Sequence, residues 1–358
     1  MPSIRITKAK KEDDAELVQF TASFASEGNL KLALDRSPSF FESLSKEGEN
    51  PEIIIGRDSD TDQIIGAGYR IESDYIFQSK RMTLGYLAGL RLLKEYRSGI
   101  ALARGYKKLK ELHQKSKSKG YFTTIQTENL NALQILSSHR AGLPFYQFVT
   151  HLTTFIWNPN SFKKKTNLIF EPVTNSRQFK TYVEQMERKS YLRPHWDDSF
   201  YEKKEITKFV IKDQNKVIVC FSIWDQNATK RWKVIGYSHK LNFFRYFYNI
   251  YAKLRKLPIL PIPGSQLHYN FLTQLCIDDK YQNRLPEIFS VILNSSSHHY
   301  KGSYLCFTLS NEDPWYHSVK KIPAWEINSM AYFVHWDPTE NLFQNKLNGF
   351  SVWEAALL

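Results

Sequence analysis

Residues Gly85 to Ala101, GYLAGLRLLKEYRSGIA, constrain the fold more than any other stretch of the chain. Thr83 to Leu93 reads as a strand. Ser98 to Lys119 reads as a helix, with Leu102, Tyr106, Leu109 and Leu112 on one face and lysines opposite. Arg97-Ser98-Gly99 lies at the junction. A glycine-containing loop that enters a helix directly presents free backbone N–H groups at the positive end of the helix dipole, where a pyrophosphate can sit. Arg97 and Arg104 add charge nearby. The same pattern also serves as an ordinary turn, so the flanking elements must decide.

Those elements follow one order twice. Ile4–Ala9 predicts a strand, residues 11–27 a helix, and Glu52–Arg57 with Gln63–Ile71 a hairpin. The strand and helix of the opening motif come next. Strand Tyr121–Thr127, helix Asn129–Ser138 and strand Thr150–Trp157 complete the set. Beyond Lys163-Lys164-Lys165 the order resumes. It runs strand Asn167–Val173, helix Ser176–Ser190, a hairpin of Phe209–Lys212 with Val217–Trp224, and strand Leu267–Ile277. A helix carrying Leu285, Ile288, Phe289, Ile292 and Leu293 follows, then strands Ser303–Leu309 and Ile327–Trp336. The repetition predicts two copies of one α+β architecture, over residues 1–158 and 167–358, joined by a linker at 159–166. Of the 15 glycines, 11 precede residue 159. Because glycine permits close backbone approach, a binding loop is expected in the first half.

Asn129 and Ala132, just after strand Tyr121–Thr127, have the spacing Asn-x-x-Ala. Together with the loop this resembles the GNAT superfamily of N-acetyltransferases, whose cofactor loop reads Gln/Arg-x-x-Gly-x-Gly/Ala and whose second motif reads Asn-x-x-Ala-x-x-Leu/Phe-Tyr. Gly99 and Ala101 match the loop; Tyr96 holds the Gln/Arg place and Arg97 is shifted by one. Asn129, Ala132 and Ile135 fit the second motif, whereas Leu136 stands where the family has tyrosine. A bacterial subgroup is resembled more closely, through Arg36-Ser37-Pro38-Ser39-Phe40-Phe41, Gly85-Tyr86-Leu87 with Leu90-Arg91, Ala103-Arg104-Gly105-Tyr106, and Arg140-Ala141-Gly142-Leu143-Pro144-Phe145-Tyr146.

The resemblance implies two tandem GNAT-like domains, each a mixed, mostly antiparallel sheet flanked by helices. It implies acetyl-CoA as cosubstrate and no metal, with the cofactor in a gap between the fourth and fifth strands. The backbone of Leu90, Arg91 and Leu92 would pair with pantetheine. The N–H groups of Arg97, Ser98, Gly99, Ile100 and Ala101 would hold the pyrophosphate, and Asn129 the cofactor arm. An unidentified amine would attack the thioester directly. Tyr146 is the substitute general acid for the tyrosine missing at Leu136, with His139 second. Glu128 is the candidate base, ahead of Glu72 and Asp74. The loss of that tyrosine also keeps open a non-catalytic GNAT-fold binding module or a basic-surface interaction protein. The second half is expected not to bind CoA. Its equivalent loop, Asp278 to Arg284, has no glycine and opens with two acids.

The formal charge of +13, from 49 Lys+Arg against 36 Asp+Glu, favours an anionic partner such as a phosphorylated ligand, a nucleic acid or an acidic lipid surface. No nucleic-acid motif accompanies it. Cys220, Cys276 and Cys306 are too far apart to suggest a disulfide framework or metal spacing, and His195 and His298-His299 lack helical ligand spacing. A reduced, cytoplasmic protein is expected. Leu241 to Lys256 carries a helical stripe of Phe243, Tyr246, Phe247, Ile250, Tyr251 and Leu254 with basic residues off it. The expectation is that this stripe packs on the second domain's core, with a membrane surface or single-stranded nucleic acid as lesser readings.

Overall fold

The computed structural model describes all residues except 1–3, 26–29, 98–99, 137–141, 160–165, 256, 258, 301 and 346. In the first half the elements are β1 (Ile4–Lys8), α1 (Asp14–Ala22), β2 (Leu30–Asp35), α2 (Phe40–Ser45), β3 (Glu49–Asp58), β4 (Ile64–Phe77), β5 (Lys80–Leu92), α3 (Ile100–His113), β6 (Tyr121–Gln126), α4 (Leu130–Leu136) and β7 (Phe145–Trp157). The second half begins with β8 (Ile169–Val173), α5 (Ser176–Met186), β9 (Leu192–Pro194), α6 (Asp198–Tyr201), β10 (Ile206–Asp213) and β11 (Lys216–Trp224). It continues with β12 (Arg231–Tyr237), α7 (His239–Arg255), β13 (Gln266–Leu267), β14 (Tyr269–Ile277), α8 (Leu285–His299), β15 (Tyr304–Ser310), α9 (Tyr316–Val319) and β16 (Trp325–His335).

Both halves share one sheet, in the order β1-β3-β4-β5-β6-β16-β7-β15-β14-β11-β10-β8, with β9 paired to β4. The order is symmetric about its middle. β1, β3, β4, β5 and β6 on one side correspond to β8, β10, β11, β14 and β15 on the other, and β16 and β7 face each other at the centre. Each half lends its last strand to its neighbour. β16 lies between β6 and β7, pairing Tyr332 with Thr123 and with Phe148. On its other edge β7 pairs Phe155 with Phe307 of β15. Among the described residues the strand pairs are antiparallel except β5 with β6 and β14 with β15.

Helices cover both faces. α8 buries Ile288, Phe289, Ile292 and Leu293 against Phe155, Trp157 and Phe307. On the opposite face α5 places Phe179 and Val183 near Phe271 and Cys276. Every residue of β14 is buried, as expected of a strand covered on both sides. A second sheet, β13-β12-β2, stitches the halves together, with Leu34 of β2 opposite Trp232 of β12.

The predicted stripe on α7 does not pack on the second core. Its inward side is Arg245, Tyr248, Asn249 and Ala252, while Phe243, Tyr246, Phe247, Ile250, Tyr251 and Leu254 are exposed. The reason is hydrogen bonding. Arg245 Nη1 donates to the Pro261 carbonyl at 3.0 Å, and the Asn249 side chain both donates to the Leu260 carbonyl at 3.0 Å and accepts from its N–H at 2.7 Å. Those carbonyls belong to the proline-rich return loop. They draw the polar side of the helix inward and leave the apolar side facing out.

Candidate functional site

The site is a gap between two strands that begin together and part. β5 pairs with β6 only where Gly85 and Tyr86 meet Tyr121 and Phe122. A Cβ on Gly85 would stand 2.1 Å from the Tyr121 ring, so glycine lets the strands meet at this closed end. Just beyond, the hydroxyls of Tyr86 and Thr124 lie 2.6 Å apart. β5 then runs six residues further, to Leu92, without β6 beside it.

The parting has a cause in β5. Ala88 and Arg91 oppose Tyr69 and Ala67 of β4, so three steps on one strand face two on the other. Gly89 sits in this bulge at φ +66°, and a Cβ there would come within 2.2 Å of the Tyr69 ring. A bulge bends its own strand and raises the local twist, which turns the end of β5 away from β6.

Tyr69, the residue beneath the bulge, is fixed by the Arg36 motif. Arg36 is buried and donates to the Tyr69 hydroxyl at 2.9 Å, and the Phe40 ring meets Tyr69 edge-on with centroids 5.9 Å apart. Arg36 also pairs with Glu47 at 2.7 Å, and Lys230 of the second half reaches the same carboxylate at 3.5 Å. Burial pushes the Glu47 carboxyl up, but the Arg36 and Lys230 charges outweigh it and hold it below its ordinary value. Residues 36–41 thus hold Tyr69 beneath the bulge and, through the Ser37 carbonyl accepting from Arg231, tie this region to the other half.

Past the bulge, β5 offers an open edge. The Leu93 N–H donates to the Ile65 carbonyl of β4. By alternation, Leu90 and Leu92 turn their backbone groups to the opposite side. Their carbonyls accept from arginine side chains, Leu90 from Arg91 Nη1 at 3.0 Å and Leu92 from Arg97 Nε at 3.2 Å. The Leu90 side chain is exposed. A one-turn helix over Lys94–Tyr96 leads to Arg97, and α3 starts at Ile100, which is exposed, followed by buried Ala101. Ser98 and Gly99 lie outside the described residues, as does His139.

The remaining predicted residues are placed as follows. Asn129 is exposed and caps α4, its Oδ1 accepting from the Ala132 N–H at 3.1 Å. Glu128 is exposed beside it. Tyr146 is buried in one apolar cluster with Leu87 of β5, Tyr106 of α3 and Leu136. The Tyr146 and Tyr106 hydroxyls share a hydrogen bond. Burial raises both phenols, Tyr106 to about 12 and Tyr146 well above its ordinary value, so both stay protonated at neutral pH. Glu72 is engaged by Arg70 and Asn50, and Asp74 by Arg81. Sequence reasoning missed Gly89. A second glycine inside a strand was the available signal, since such a residue often marks a bulge.

The second half repeats the geometry. β14 pairs with β15 only from Tyr269 to Phe271, and Thr273 and Cys276 oppose Ser222 and Cys220 of β11, again three steps against two. Gln274 occupies the bulge at φ +51°. Here the gap is filled. Glu354 Oε1 accepts the Gln274 N–H at 2.9 Å, and Ser351 to Glu354 run through the opening, leaving a cavity of about 40 Å³. Asp278 caps a short helical turn, accepting from the Lys280 N–H at 3.1 Å and pairing with Lys216 at 2.6 Å.

No protein-family model and no curated protein sequence matches the chain. Solved structures do. Saccharomyces cerevisiae N-myristoyltransferase with bound myristoyl-CoA aligns at a TM-score of 0.61 with 10% identity, over 93% of this chain and 83% of that one. The same yeast enzyme with myristoyl-CoA and inhibitors aligns at 0.60 with 11% identity, over 94% and 82%. A conserved Enterococcus faecalis protein described as a probable N-acyltransferase aligns at 0.50 with 8% identity, over 92% and 72%. At such identities it is the fold that is shared. With its bulged β5, the parted parallel pair of β5 and β6, the helix that follows and the repetition of this set in a second half, this chain has the fold of these N-acyltransferase structures.

Proposed function

We propose that the protein is an acyl-CoA-dependent N-acyltransferase that carries an acetyl group from acetyl-CoA to an amine. In this reading residues 1–158 hold the cofactor, 159–166 link the halves, and 167–358 wall the acceptor side. The observation that carries the reading is the open edge of β5 from Leu90 to Leu92, set between a bulge and the start of α3. Pantetheine would add to that edge as an extra strand. Its amide donors would take over the Leu90 and Leu92 carbonyls from the two arginine side chains. The N–H groups of Arg97 to Ala101 would hold the pyrophosphate, and Asn129 would contact the cofactor arm.

A neutral amine would attack the thioester carbon. The developing oxyanion would take a hydrogen bond from a β5 N–H, and the C–S bond would break to release CoA thiolate. Glu128 would accept the proton from the amine, and Tyr146 would serve the thiolate. A phenol raised this far releases its proton reluctantly, so Tyr146 would act mainly by hydrogen-bond donation. The myristoyl-CoA of the yeast enzyme supports a CoA thioester as cosubstrate.

Two measurements test the reading on the full chain: calorimetric titration with acetyl-CoA, and detection of free thiol when amines of different classes are added. One acetyl-CoA site and thiol release with at least one amine are expected. Absence of binding to acetyl-CoA and to longer acyl-CoAs would overturn the assignment. The missing tyrosine at Leu136 favours a second reading, a non-catalytic binding module, which predicts cofactor binding without thiol release from any amine.

A further inference from the structure

We infer that the outward face of α7 docks on an anionic membrane surface. The helix is amphipathic in the inverted sense. Its polar side is bound to the protein through Arg245 and Asn249, and Tyr248 accepts a hydrogen bond from the Trp325 indole at the start of β16. Its outward side presents Phe243, Phe244, Tyr246, Phe247, Tyr251 and Leu254, with Phe243 and Tyr246 each 72% exposed and Leu254 79%. Exposed large apolar side chains scattered singly are ordinary, but a contiguous face of this kind marks an interaction surface.

Charge decides the occupant. At about 100° per residue, Lys253 and Arg255 fall on opposite rims of the apolar stripe, and Lys240 lies over its first turn. All three are exposed. No Asp or Glu occurs from residue 226 to residue 277. A second copy docked across a two-fold axis would bring the same bare cations against one another, with no carboxylate from this stretch of either copy to answer them. Anionic headgroups complement them, and the aromatic and aliphatic side chains enter the boundary below. Among the described residues no helix is long and apolar enough to cross a membrane. The mode is therefore a helix lying in the interface, parallel to the surface, with the folded protein on its aqueous side.

The test is flotation of the full chain with vesicles of phosphatidylcholine alone and with added phosphatidylglycerol. At low ionic strength the expected bound fraction is roughly tenfold higher on the phosphatidylglycerol vesicles, and falls as salt screens the attraction. Phe247→Ser with Leu254→Ser should abolish flotation. Lys253→Glu with Arg255→Glu should remove the preference for phosphatidylglycerol. Both pairs are at the surface, and an unchanged unfolding midpoint confirms that they fold. Failure of the wild-type chain to float with either vesicle would overturn the proposal. So would undiminished flotation of the Phe247→Ser, Leu254→Ser variant. A wild-type dimer that this variant converts to monomer, without vesicle binding by either, would assign the face to a second copy instead.

Discussion

The gaps at β5/β6 and at β14/β15 are built alike, yet one stands open and the other is filled. Each opens at a bulge with one residue in the left-handed region, Gly89 in the first and Gln274 in the second. The first leaves the edge beyond its bulge to side chains that can swing away, Arg91 and Arg97. The second commits the N–H at its bulge to Glu354 and fills the opening with the chain itself. The repeated fold therefore has two gaps of one design, and whether each stays open is set by a few residues at and after the bulge. Glycine and arginine keep one open; glutamine and a buried glutamate close the other.

The comparison can be broken most decisively at Gly99. Gly99→Trp should abolish acetyl-CoA binding in a calorimetric titration, a loss of at least 100-fold, while the unfolding transition is kept. A site that survived the substitution would mean that the second gap binds CoA, or that the loop is an ordinary turn. Next in size, Gly89→Val forces a side chain into the Tyr69 ring at a left-handed φ. Strain of this kind costs about 3 kcal/mol, read as a lower denaturant midpoint together with weakened acetyl-CoA affinity.

The filled gap gives a pH test. Burial pushes the Glu354 carboxyl up to about 8 from 4.5, against the lowering effect of the Gln274 N–H. In the unfolded chain the group loses its proton near its ordinary value, whereas in the folded protein it keeps it up to about 8. Stability from this group is thus full below pH 4.5 and is lost as pH rises through about 8. Glu354→Gln should flatten that decline, making the variant more stable than wild type above pH 8 by about 2 kcal/mol in denaturant melts. Equal slopes for the two proteins would show the carboxylate to be ionised in place. The smallest effect is expected at Tyr146→Phe, a roughly tenfold fall in kcat at unchanged acetyl-CoA affinity, about 1.4 kcal/mol. An unaltered kcat would move the thiolate's donor elsewhere.

Local pattern made most strands and the loop–helix junction legible, because period and turn chemistry are properties of neighbouring residues. Partners are not. β16 was readable as a strand, but nothing near Ile327 says that it pairs with Thr123 and its neighbours some 200 residues earlier. The bulge at Gly89 depends on Tyr69 of β4 and on Arg36, which arrive from separate parts of the chain. On α7 the periodicity located the apolar stripe correctly, yet the direction it faces was set by two carbonyls of the return loop, at Leu260 and Pro261. Leu30–Asp35 was not seen as a strand at all. Its leucines alternate, but the segment is short, its buried positions are Ala33 and Asp35 rather than the leucines, and its partner strand β12 comes from the other half.

The strand exchange at the centre of the sheet also has a consequence in time. A chain made from its N-terminus has β6 and β7 long before β16 exists, and β16 must lie between them. Until then β6 has an unpaired edge, and the antiparallel cross-half pairing with β16 that closes it is the slow, high-contact-order kind. The first half is thus obliged to wait for the second, and while it waits it carries a template for pairing with other chains. Emergence of β16, more than completion of residue 158, would mark the moment at which the gap beside β6 acquires its final walls.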